Sequence, residues 1–138
     1  MKRALSDIII EASKQPNKQE KIRVLREVLP MPGRLILKYT IDENCKFLLP
    51  EGAPPYKPSE FDEPGNLYAE VRRIYLFVEG GNPNLKPLRR EQLYIQMLEA
   101  VTPNDAKLLI DMVSKKLPKG LTADIIREAF PDMFTTPK

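Results

Sequence analysis

Apolar side chains recur along this chain at intervals of three and four, the spacing of one helix face, and show no sustained alternation of the kind a strand requires. The first run spans Lys2 to Lys14, with Leu5, Ile8, Ile9 and Ala12 on one side and Pro16 as its breaker. Asn17 suits the capping position of a second helix, Lys18 to Leu29, in which Ile22, Leu25, Val28 and Leu29 face inward. Pro30, Pro32 and Gly33 read as a turn before a third helix, Arg34 to Glu43, carrying Leu35, Ile36, Leu37, Tyr39 and Ile41. A fourth run, Asn66 to Val78, aligns Leu67, Val71, Ile74 and Val78, with Tyr75 and Phe77 flanking, and stops at Glu79-Gly80-Gly81-Asn82-Pro83. A fifth, Pro87 to Val101, turns Leu93, Met97, Leu98 and Val101 inward and Arg89, Gln92, Gln96 and Glu99 to water.

The most apolar stretch follows. Thr102 is placed to cap a helix with Pro103 at its first position and Asp105 in its first turn. Ala106, Leu108, Leu109, Ile110, Met112, Val113 and Leu117 fill a wide arc opposite Lys107, Asp111, Ser114 and Lys115, and an arc that wide predicts burial on several sides. Pro118 and Gly120 end it, Thr122 caps a last helix carrying Ile125, Ile126, Ala129 and Phe130, and Pro131 closes that one. The expected architecture is therefore all-α: a single domain over residues 1–138, a compact bundle of about seven helices with a short tail at 135–138.

Asn44 to Gly65 breaks the pattern. Pro50, Pro54, Pro55, Pro58 and Pro64 remove too many N–H groups for regular structure, so a long Pro-rich loop joins the third and fourth helices. Phe47, Leu48, Leu49, Tyr56 and Phe61 are its candidate anchors, making it a strap over the surface; its acidic residues also suit it to contact a basic partner.

Charge sharpens this picture. The net charge is only +3, but residues 14–38 hold seven basic and two acidic side chains, and residues 39–70 hold seven acidic and two basic. Such a molecule can orient on a polyanion, or these charges can simply be solvated. Basic side chains gather at helix ends in three clusters: Lys14, Lys18 and Lys21; Lys86, Arg89 and Arg90; Lys115, Lys116 and Lys119. Converging clusters of this kind are sufficient for sequence-independent contact with backbone phosphates.

Several chemistries are poorly served. There is no histidine, which removes the usual general base and zinc ligand. Cys45 is the only cysteine, so no internal disulfide forms, and it reads as a small apolar side chain. No Gly-rich phosphate loop occurs, no apolar run approaches the ~20 residues of a membrane span, and the first fourteen residues read as a helix, not a leader. Neither an enzyme nor a cofactor or metal site is expected.

Three pieces together resemble a known module. They are Ile9-Ile10-Glu11-Ala12-Ser13 followed by Asn17-Lys18-Gln19, Lys21 and Leu25; the Arg34 to Tyr39 helix; and Asp105-Ala106, Leu108-Leu109, Met112, Lys116-Leu117, Gly120-Leu121-Thr122 and Ala129-Phe130-Pro131 with Met133. The chain is similar in these to the N-terminal, all-helical DNA-binding domain of tailed-bacteriophage ATP-dependent DNA ligases, and to small uncharacterised proteins of large tailed phages. The nucleotidyltransferase KxDG motif is absent. The resemblance thus implies a stand-alone, non-enzymatic phage protein that grips duplex DNA by its backbone, in the cytoplasm of the infected host. At matching positions it implies DNA contacts by Lys18, Lys21, Lys116 and Thr122; charge and position add Lys115, Lys119, Arg89 and Arg90. The Pro-rich loop departs from the ligase pattern and keeps a second role open, that of a module contacting and modulating a phage or host enzyme; a minor structural protein packaged in the virion is the further alternative.

Overall fold

The structure is a computed structural model that describes residues 3–50, 53–59 and 65–134. The expectations placed on Lys2, Phe61, Pro64, the loop's acidic residues at 51, 60, 62 and 63, and the 135–138 tail lie outside the described residues. Seven α-helices appear among them: α1 Leu5–Ser13, α2 Lys18–Val28, α3 Met31–Ile41, α4 Gly65–Glu70, α5 Pro87–Ala100, α6 Pro103–Val113 and α7 Ala123–Ala129. Two 3₁₀ helices, Val71–Phe77 and Pro131–Phe134, complete the order. The described residues form no named strand, only an isolated antiparallel bridge between Phe47 and Val78.

The local start signals act as their chemistry requires. Asn17 accepts from the Glu20 N–H at 2.9 Å, Thr102 from Asp105 at 3.1 Å and Thr122 from Ile125 at 3.3 Å, each satisfying an N–H that the first turn leaves orphaned. Elsewhere the boundaries move. α3 begins at Met31, because a proline in the first turn lacks only an N–H that has no partner there, so Pro32 starts the helix instead of preceding it. In α2 it is Val24 that is buried, while Val28 is exposed at the helix end.

The fourth run changes type in mid-course. Leu67 and Val71 are four apart, then Val71, Ile74 and Phe77 follow at intervals of three, and all four are buried. A three-residue repeat keeps one face inward only at three residues per turn, so the chain tightens from α to 3₁₀ at Val71. Phe77 is therefore core and Tyr75 exposed, where a single α-helix put both on the flanks.

α6 lies at the centre, packed on α1, α3 and α5, while α2 pairs with α1 and α7. Leu109, Met112, Leu5, Ile9, Leu25, Ile36, Leu98 and Ile126 are essentially inaccessible in one continuous core. The Pro-rich segment is strapped to it: Phe47, Leu49 and Tyr56 pack on the core, Leu48 N–H donates to the Phe77 carbonyl at 2.8 Å, and Lys57 N–H donates to Glu99 at 2.7 Å. Leu48, expected as an anchor, is exposed. No helix among the described residues is long and apolar enough to cross a membrane.

Candidate nucleic-acid interface

Two chain corners meet at one seam. The first is the turn from α1 to α2, where Pro16 ends one helix and Asn17 caps the next. The second is the connection from α6 to α7. There α6 stops at Val113: Lys115 N–H donates to Met112 and Lys116 N–H to Asp111, at 3.1 and 2.8 Å, the paired bonds that close a helix through a left-handed residue. Lys115 holds that left-handed position at φ 59°, where glycine is the usual occupant. Lys116 is thus beyond the helix and exposed.

Gly120 joins the corners. Its φ is 102°, and a Cβ there would run into the Ser13 carbonyl, so only glycine lets the α6–α7 connection lie this close to the end of α1. Lys21 Nζ donates to the Gly120 carbonyl at 2.6 Å, and Lys18 Nζ pairs with Glu128 of α7 at 2.9 Å. Lys18 and Lys21 are thereby gathered with Lys119, and with Lys14, which follows Ser13 directly. The Lys14 and Lys119 side chains are exposed and carry no hydrogen bond or ion pair among the described residues. Thr122 is exposed; its oxygen caps α7 while its O–H remains available to a second partner.

The remaining candidates are placed differently. Arg90 is buried, its guanidinium donating to the Leu76 and Leu85 carbonyls at 3.4 and 2.9 Å, so it closes the 3₁₀ segment and its turn and leaves the candidate set. Lys115 Nζ donates to the Tyr39 and Asp42 carbonyls at 2.6 and 3.0 Å and stands 5.2 Å from the Phe47 ring centroid, which commits it to the end of α3. Arg89 is exposed at the start of α5, which packs on α4, the 3₁₀ helix and α6, and no described contact brings it to the seam. Of the third cluster, then, it is Lys119 that the Gly120 contacts bring to the first. Lys14 was visible as a cluster member but matched no motif position; what identifies it is the fold's placement of Gly120 on Ser13.

Cys45 is buried, and burial pushes its thiol up, away from the thiolate, against the opposing pull of nearby Lys115. Among the described residues no three His, Cys, Asp or Glu side chains are grouped to hold a metal ion.

A family model described as a family of unknown function (DUF6433) matches residues 8–119, well over half of the chain. No curated protein and no solved structure matches.

Proposed function

The chain belongs to the family of unknown function DUF6433, and we propose that it binds duplex DNA through the phosphate backbone, without enzymatic chemistry. The observation that carries this reading is the Lys21–Gly120 joint, which gathers Lys14, Lys18, Lys21 and Lys119 along one seam with Lys116 and Thr122 nearby in the same connection. Lysines on flexible stems supply sequence-independent phosphate contacts. Single strands are usually held on stacking aromatics, and among the described residues the exposed aromatic ring, Tyr75, belongs to the 3₁₀ helix. The resemblance to the DNA-grasping module of phage ligases points the same way at Lys18, Lys21, Lys116 and Thr122, and extends the proposal to a phage protein at work in the infected cell.

A salt titration of binding to a fluorescent duplex tests the reading. Log affinity is expected to fall with log salt at a slope of about −3 to −4, the value for about four neutralised phosphates. A slope near zero, or no binding at low salt, overturns it.

A second reading has its own observation. Pro50, Ala53, Pro54 and Pro55 of the strap and Leu88, Tyr94 and Ile95 of α5 line a groove of about 400 Å³, and Leu88 is 68% exposed beside it. An apolar side chain of a protein partner fits such a groove. Retention of one defined partner after nuclease treatment, and its loss in Leu88→Glu, supports that role in place of DNA.

A further inference from the structure

The duplex-binding seam contains one side chain that opposes it. Lys18 Nζ lies 2.9 Å from Glu128 Oε2, and both side chains are about half exposed, at 51% and 54%. The pair bridges α2 and α7, which pack directly on one another. Lys18 occupies the first position of α2 and Glu128 the last turn of α7, so each charge stands at the end of its own helix where the macrodipole disfavours it. Neither is placed to strengthen its own helix; each is positioned by the other. The nearest sequence alternative, Glu20, is already paired with Arg23 at 2.9 Å, which leaves Glu128 as the carboxylate facing Lys18.

Resting on the DNA-binding reading above, we infer that Glu128 sets the affinity of the seam: it is a resident counter-charge that a DNA phosphate must displace from Lys18. In the free protein Lys18 is neutralised locally. On the duplex a phosphate oxygen takes the Glu128 position, and the released carboxylate turns to water while remaining close to the polyanion. Weak or isolated anions do not cover that loss, whereas a duplex engaging Lys14, Lys21 and Lys119 at once does. Glu128 thus favours dense polyanions over single phosphates.

The test is a double-mutant cycle on the full chain, read by anisotropy on a labelled duplex at fixed low salt. Glu128→Gln is expected to raise affinity about 3- to 10-fold and to steepen the salt slope by up to about one unit, as one more lysine exchanges its counterion on binding. In a Lys18→Gln background the same Glu128→Gln change is expected to lose most of that gain. Glu91→Gln, on α5, controls for net charge alone. An equal gain from Glu91→Gln, or a gain that persists undiminished without Lys18, overturns the clasp while leaving the DNA reading in place. Absence of binding by the unaltered protein and by Glu128→Gln alike overturns both.

Discussion

Asp105 is fully buried, and its carboxylate works at the start of two helices at once. It belongs to the first turn of α6, where its N–H is taken by Thr102, and its Oδ1 accepts the Ser6 N–H at 3.0 Å, the orphaned donor in the first turn of α1 that no side chain of α1 satisfies. Both helix N-termini favour a negative charge there. Asp105→Ala strips a charged acceptor from a buried N–H and is expected to cost about 2–3 kcal/mol in urea unfolding, with Asp105→Asn costing less because its carbonyl can still accept. A loss below about 0.5 kcal/mol would make the contact incidental. A second residue-level expectation follows from titration. Burial raises the Cys45 thiol and the Tyr39, Tyr68 and Tyr94 phenols. Folded values above unfolded ones mean that the stabilisation is complete below the unfolded range, about 8.5 for a thiol and about 10 for a phenol, and is lost as pH rises through the folded values. Thermal unfolding is therefore expected to move to lower temperature above about pH 9, and Cys45 to react with a thiol reagent far more slowly in the native chain than in urea.

At the scale of elements, the parts legible in the sequence were those decided within one helical turn. Asn17, Thr102 and Thr122 cap the helices they precede because a cap reaches only three residues ahead. The three-residue repeat Val71, Ile74, Phe77 was also present in the sequence, but a single α-helix accommodates Leu67, Val71 and Ile74 equally well, and only the burial of Phe77 separates the two. What local pattern cannot report is where a cation goes. Arg34 donates to the Arg26 and Leu29 carbonyls, Lys115 to those of Tyr39 and Asp42, Arg90 to those of Leu76 and Leu85, and Lys21 to that of Gly120. In each case a basic side chain closes the end of a helix or turn, where carbonyls fall outside the regular helical ladder. Three of these bonds span more than seventy residues of sequence, which is why Lys115 and Lys21 looked like surface charges. α6 itself behaves as its wide apolar arc requires. Leu109 is inaccessible at its centre, so Leu109→Ala is expected to leave a cavity costing about 2–5 kcal/mol by chemical denaturation; a change under about 1 kcal/mol would show that α6 does not organise the core.

Among the described residues, basic side chains divide into those that hold the fold and those that face outward from it, with Lys21 in both classes because its ammonium spends one of three donors on Gly120, and this division yields opposite expectations for neighbouring lysines. Lys14 and Lys119 flank the Ser13–Gly120 contact, and their side chains are exposed without partners among the described residues. Lys115 lies only four positions from Lys119, yet its ammonium is tied to the end of α3. In the double variant Lys14→Gln/Lys119→Gln, two phosphate contacts disappear, so the salt slope of DNA binding is expected to flatten by about two units and affinity at low salt to fall at least tenfold. Folding stability is expected to change by less than about 0.5 kcal/mol, because exposed charges without partners contribute little. Lys115→Gln is expected to behave in reverse: the loss of two hydrogen bonds from a charged donor lowers stability by about 1–2 kcal/mol, while the salt slope keeps its value. Measuring both variants by urea unfolding and by duplex titration separates the two classes of lysine. If Lys115→Gln flattens the slope as much as the double variant does, the ammonium leaves its carbonyls on binding and the interface extends past Gly120 toward α3. If neither variant changes the slope, the seam is a solvated surface and the DNA assignment fails.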